Sequence, residues 1–149
     1  MCKDTIKERL LDTLGAADRA ASQRIGSATY AVLYAVASSL LAAGTSFVVE
    51  SNFRRGTSDR ELAPLIRRAR AIFIHCSVSD GERRRRYAAR DRHPGHFDGA
   101  LLAAWESDVT VFGPPALDGL VVNEADGAAP TAETVAAVMR ALTAMSRSQ

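Results

Sequence analysis

Six arginines crowd one short stretch of the chain: Arg83, Arg84, Arg85, Arg86, Arg90 and Arg92. On a helix, Arg83, Arg86 and Arg90 fall on one face at i, i+3 and i+7. Such a face offers forked donors to phosphate oxygens. It also suits a plain solvated surface, or a basic patch for nucleic acid. Tyr87 and Phe97 are the nearby aromatics, which is thin for a base-stacking platform. Glu50 closes an apolar run, where a carboxylate is costly unless it meets a cation, a metal or donors. Arg54 and Arg55 are candidate partners, and Asn52 stands beside it. Asp4 opens an amphipathic segment, where an acid caps the helix and complements its dipole. His93 and His96 flank Pro94-Gly95 with no Cys or acid at zinc-site spacing, so they read as a turn with two surface histidines. His75 and Cys76 sit in an apolar run and read as core residues, the thiol inert. Asn123 heads Asn-Glu-Ala-Asp, which is also ordinary turn chemistry.

These residues need elements to place them. Asp4 to Leu14 predicts a helix with Ile6, Leu10, Leu11 and Leu14 on one face and Lys7, Glu8 and Asp12 elsewhere, stopped at Gly15. A second helix runs from near Asp18 to Ala43, ended by Gly44. It is apolar nearly all round from Ala28, which predicts burial on several sides. Thr45 to Glu50 reads as a strand covered on both faces. Ser58 caps a helix over Asp59 to Arg70, and Ala71 to Cys76 is a second buried strand. Ser79 caps the arginine helix, which runs to about Arg90. His93 to His96 is a break, and a short helix follows over Asp98 to Glu106. Leu120 to Asn123 is the last strand. Thr131 to Met145 is a closing helix with Val135, Val138, Met139 and Leu142 inward. Strands alternating with helices give an α/β fold with a three-layer parallel sheet. Ligands in such folds sit at the carboxyl ends of strands, which selects Glu50 to Phe53, Cys76 to Ser79 and Asn123 to Asp126.

The 149 residues suffice for one domain over residues 1–149, not for two. Apolar residues make up 47% and charged residues 24%, which excludes whole-chain disorder and collagen-like or coiled-coil repeats. The net charge of +2 selects no partner. Two cysteines make neither a disulfide framework nor a zinc site, so a reducing, cytoplasmic setting is the expectation. The longest apolar run, Tyr30 to Ala43, falls short of the ~20 residues of a membrane span. The charged start is unlike a signal peptide.

The order of these landmarks resembles P-loop kinases of the group holding zeta-toxin-like kinases, chloramphenicol phosphotransferases and polynucleotide kinases, often labelled AAA-family ATPases. The matching segments are Lys3-Asp4-Thr5-Ile6-Lys7-Glu8, Val48-Val49-Glu50-Ser51-Asn52-Phe53, the helix Arg83 to Arg90, His93-Pro94-Gly95-His96-Phe97-Asp98, and Val121-Val122-Asn123. The resemblance covers nearly the whole chain and implies a nucleoside-kinase-like P-loop fold. It implies ATP and Mg²⁺ as cofactors, with phosphoryl transfer to a hydroxyl. Asp4 then takes the acceptor proton, and Glu50 with Asn52 contacts substrate or metal. Residues 79–98 form a lid whose Arg86 and Arg90 steady the transferring phosphate. Arg83, Arg86, Arg90 and Asn123 contact the nucleotide. Drug, sugar, nucleoside and nucleic-acid-end acceptors all fit, because the variable helices around Asp18 to Tyr34 build that pocket.

One departure dominates. The family's first strand and Gly-x-x-x-x-Gly-Lys-Ser/Thr loop have no counterpart, since none of the ten glycines precedes a lysine. The expectation is an N-terminally truncated gene model, with phosphoryl transfer impaired or absent in the chain as written, because such transfer depends on positioning and charge neutralisation by that loop. Loss of a central strand would leave its neighbours, Thr45 to Glu50 and Ala71 to Cys76, ~9–10 Å apart; either they close up and pair, or open edges face a void and favour self-association, with low stability expected. Two further classes stay open. One is a non-catalytic anion or nucleic-acid-binding module using the Arg83 to Arg92 helix. The other is an interaction protein whose sheet edge accepts a partner strand.

Overall fold

The structure, a computed structural model, describes residues 1–97, 113–118 and 120–147. Its elements run α1 (Lys3–Leu14), α2 (Arg19–Ala42), α3 (Ser58–Ile66), β1 (Ile72–Ser77), α4 (Asp80–Ala89), a 3-10 turn (Pro94–His96), β2 (Val121–Asp126) and α5 (Thr131–Arg147). The helix expected over Asp98 to Glu106 lies outside the described residues. Contacts divide the chain into two compact units, Met1–Asn52 with Arg84–Ser107, and Phe53–Arg83 with Asp108–Gln149.

In the first unit, α1 stops where Gly15 turns to φ +68°, a conformation that suits glycine, and its N–H bonds the Leu11 carbonyl. Asp18 caps α2 by accepting from the Ala21 N–H at 2.7 Å. The buried stripe of α1 is Lys3, Lys7 and Leu11, one residue per turn. It is not the expected row of Ile6, Leu10, Leu11 and Leu14, whose last member is largely exposed. Here the two lysines carry their methylene stems inward. On α2, Ser22, Thr29, Leu33 and Ala37 are buried while Val32 and Val36 are exposed. The later half of α2 is thus covered on one face, not on several. Among the described residues α2 is long and apolar enough by length and composition to cross a bilayer, which the shorter run from Tyr30 did not suggest. It packs on α1 and on the 3-10 turn.

Thr45 to Glu50 is extended but makes one parallel bridge instead of a strand ladder, Cys2 with Glu50. Its hydrogen bonds go to the first residues of the chain: Glu50 N–H donates to the Met1 carbonyl at 2.8 Å, and Lys3 N–H donates to the Glu50 carbonyl at 3.0 Å. Phe47 and Val49 are half-buried and Val48 exposed, a period-two pattern in place of burial on both faces.

In the second unit, β1 and β2 form a parallel ladder from Ile72 opposite Val121 to Ser77 opposite Asp126. This two-stranded parallel sheet, with α5 packed on it, is of the expected α/β class. β2 continues three residues past its expected end, so Asn123 lies mid-strand opposite Ile74, and Glu124 to Asp126 extend the ladder where a loop was expected. β1 is half-covered: Ile74 and Cys76 share a sheet face by alternation, and both are exposed, so Cys76 is not a core thiol. α3 ends at Ile66 instead of Arg70. Pro64, near its end, lacks an N–H and crowds the preceding turn. Thr57 takes the N-cap position. Ser58 lies inside the helix, its Oγ accepting from Arg54 N–H at 2.9 Å. On α5, Val138 is half-buried as expected, while Val135, Met139 and Leu142 are exposed. Thr134, Ala137 and Ala141 turn inward with it, small residues that let a helix approach closely.

Leu33 is fully buried and Val32 is 44% exposed. Leu33→Ala should lower unfolding stability by about 2–5 kcal/mol, and Val32→Ala by about 0.5 kcal/mol or less, read from urea unfolding midpoints.

Candidate functional site

Asp4 stands at the second residue of α1, with Cys2 at the N-cap position. It therefore lies in the first turn, and its carboxylate is turned away from capping. Lys3 Nζ lies 2.9 Å from Asp4 Oδ1, and Arg92 Nη2 donates to Asp4 Oδ2 from the segment after α4. One carboxylate is thus gripped on both oxygens by two cations. Burial by itself would raise the Asp4 pKa. The Lys3 hydrogen bond and the charges of Lys3, Arg92 and His96 outweigh it and hold the carboxyl below its ordinary range.

Lys3 connects this pair to the end of the extended segment. Its ammonium lies 5.6 Å above the Tyr30 ring, within cation–π range. The Tyr30 hydroxyl lies 2.8 Å from Asn52 Oδ1 and 3.0 Å from the Asn52 carbonyl, and Ser51 Oγ donates to it at 2.9 Å. Cys2 Sγ donates to Glu50 Oε2 at 2.7 Å. So the fold brings Asp4, Glu50 and Asn52 into one connected neighbourhood through Lys3, Tyr30 and Cys2. Backbone pairing of Met1–Lys3 with Val48–Glu50 causes this, because it places the start of α1 beside the end of the extended segment.

The remaining expected residues divide. Arg86 is exposed on α4, and Arg90, just past its end, stacks 3.8 Å over the Tyr87 ring. Both belong to the unit that holds Asp4. Arg83 belongs to the second unit and pairs with Asp80 at 2.5 Å, a one-turn pair within α4. Asn123 is in the second unit as well, with its Oδ1 buried and without a hydrogen-bond partner. His75 Nδ1 meets Glu124 Oε2 across the ladder at 2.7 Å, a partnered strand residue. Among the described residues no three of His, Cys, Asp and Glu gather as around a metal ion. A lone carboxylate such as Glu50 could still touch Mg²⁺, which draws most of its ligands from phosphates and water.

The sequence left Lys3, Glu8, Arg92 and His96 out of the site. His96 is not a surface histidine: it is 7% exposed, with Nε2 3.0 Å from Glu8 Oε1. Burial and the neighbouring Arg92 charge depress its pKa, with Lys7 adding to them, against the opposing pull of Glu8 and Asp4. Arg92 fell outside the i, i+3, i+7 face because it lies beyond the helix. One signal was readable: Asp4, Glu8 and Asp12 repeat at four-residue spacing, an acidic stripe that calls for bases opposite.

A family model described as an AAA domain matches residues 2–115. A crystal structure of a protein from Chloroflexus aurantiacus, assigned as a kinase, superposes with a TM-score of 0.69 at 28% identity, covering 93% of this chain and 81% of that one. No curated protein sequence matches the chain.

Acid should loosen this site in a definite window. The folded state resists protonating His96 while the unfolded chain accepts a proton near the ordinary value of 6.5. Unfolding then takes up protons, and stability falls as pH drops below that value. Urea midpoints measured at pH 7.5 and 5.5 should differ more for the native protein than for His96→Gln, which has no proton to take up there.

Proposed function

The chain belongs to the AAA domain family and has the P-loop kinase type of α/β fold, with the kinase-like, nucleotide-binding character of that family; from this we propose that it carries the acceptor side of an ATP-dependent phosphotransferase acting on a hydroxyl group. The observation that supports this reading most is the Asp4 carboxylate, kept ionised between Lys3 and Arg92 at the start of α1.

In phosphoryl transfer through a loose transition state, little proton movement precedes bond breaking. A carboxylate of depressed pKa is a weak base but a firm acceptor. Asp4 would accept a hydrogen bond from the acceptor hydroxyl and turn the oxygen lone pair towards phosphorus, taking the proton late. Lys3 and Arg92 would offset the negative charge on the oxygens of the arriving phosphoryl group. Tyr30, locked by Ser51 and Asn52, backs the Lys3 ammonium. Exposed Arg86 and Arg90 are the candidates for closing over phosphate from α4.

Residues 1–149 do not themselves fit the nucleotide's phosphates. No glycine is followed by lysine, so the loop of backbone N–H groups with its lysine and hydroxyl is not among them. When bound, ATP with Mg²⁺ supplies the transferring phosphoryl group. Weak transfer is expected from this chain alone.

The test is transfer of labelled phosphate from ATP to a panel of alcohols, sugars, nucleosides and 5′-hydroxyl oligonucleotides. It uses the 149-residue chain and the same chain extended by a strand and a Gly-Lys-Ser loop. The extended protein should transfer to one acceptor class, and Asp4→Asn should lower kcat by about 10²–10⁴-fold with little change in ATP affinity. Transfer to no acceptor, or an unaffected Asp4→Asn protein, would reject the reading.

A further inference from the structure

Three acids repeat along one face of α1, and three bases answer them from the turn after α4. Arg92 Nη2 donates to Asp4 Oδ2, His96 Nε2 lies 3.0 Å from Glu8 Oε1, and His93 Nε2 lies 3.3 Å from Asp12 Oδ1. The turn is seated closely: a Cβ on Gly95 would come within 3.0 Å of the Leu11 methyls and of His93 Nδ1. Gly95 N–H donates to that Nδ1 at 3.1 Å, which leaves the His93 proton on Nε2, facing Asp12.

The middle pair raises a question of partition. Asp4 and Glu8 are one helical turn apart on the same face, and the Arg92 guanidinium reaches that face from the segment after α4. The planar guanidinium fork of Arg92 fits either carboxylate. His96 Nε2 lies 3.4 Å from Arg92 Nη2 and 3.0 Å from Glu8 Oε1, so a single imidazole nitrogen stands between the guanidinium and the second acid. Ionised, Glu8 can only accept, so that nitrogen carries the proton and donates it to Glu8.

We infer that His96 is a positioning residue: by occupying Glu8 it keeps Arg92 on Asp4. The consequence for catalysis rests on Asp4 orienting the acceptor, as proposed above. Removing the imidazole leaves the Glu8 carboxylate without its donor beside a cation. Glu8 then draws the guanidinium one turn along α1, and Asp4 keeps Lys3 alone. The depressed His96 pKa agrees with this, since a second positive charge beside Arg92 would push the guanidinium away.

The experiment reads the Asp4 carboxyl by carbon-13 NMR titration in the full chain. His96→Leu should shift the Asp4 midpoint upward, because one of its two cations has left. The double variant His96→Leu/Glu8→Gln should bring it back towards the native value, since a neutral amide does not compete for Arg92. His96→Gln should shift it less than His96→Leu does, because the amide nitrogen reaches where Nε2 stood and only the imidazole's own charge is lost. His96→Asn, too short to reach Glu8, serves in place of the leucine variant if that one fails to fold. An unmoved Asp4 midpoint in a folded His96→Leu or His96→Asn protein overturns the inference, and so does a double variant that shifts as far as the single one. A merely structural role for His96 would not be rescued at Glu8. The readout needs no turnover: expected midpoints in an inactive protein would sink the phosphotransferase reading alone, and unmoved midpoints in an active one would sink the partition alone.

Discussion

The Arg92–Asp4 ion pair joins residues 88 positions apart and fixes most of what is specific to the first unit. An ionised carboxylate in a half-buried position is tolerable only where cations and donors replace its water. Two cations do so here, and each is bound up in something else. Lys3 lies over Tyr30, which holds the Ser51 and Asn52 end of the extended segment. Arg92 heads a turn that two histidines fasten to α1. Pairs of this kind add little net stability but are costly to break on one side only, because the partner left behind is buried and charged. They therefore serve geometry better than they serve the free energy of folding.

That geometry bears on phosphoryl chemistry. A base that must remove a proton early works best with a pKa near the working pH. Asp4 is held lower than an ordinary aspartate, which suits an orienting acceptor. The same two cations that depress it are the groups a phosphoryl transfer would need nearby. One electrostatic arrangement accounts for the ionisation state of the acid and, under the proposed function, would also supply the charge met by an incoming phosphate.

How much of this was legible depended on the range of the interaction. The helix at Asp4, its stop at Gly15, the helix start near Asp18 and the Ser79 start of the arginine helix are local matters of capping and backbone freedom, and they follow from neighbouring residues. The strand read over Ala71 to Cys76 stands one residue along, at Ile72–Ser77, because an unbroken apolar run marks a strand without marking its ends. The choice of inward face was not. On α1 periodicity favours the leucines, yet Leu11 shares the inward face with Lys3 and Lys7; for Lys3, Asp4 and Tyr30 supply partners that no hydrophobic pattern encodes. On α5 Val135, Met139 and Leu142 are exposed, while Val138 faces inward among the small residues Thr134, Ala137 and Ala141.

From its sequence alone the chain's α/β class, the order of its helices and the candidacy of Asp4, Glu50 and Asn52 could be read, because each rests on residue type, spacing or motif order along a few turns of backbone. The tertiary structure alone decided that Lys3, Arg92 and His96 surround Asp4, that Glu50 meets a thiol, and that Arg83 and Asn123 belong to a different compact unit. The physical reason is distance. Charges pair by proximity in space, and the acidic stripe on α1 announces that it needs bases without naming which of 17 arginines and 3 histidines will come to it.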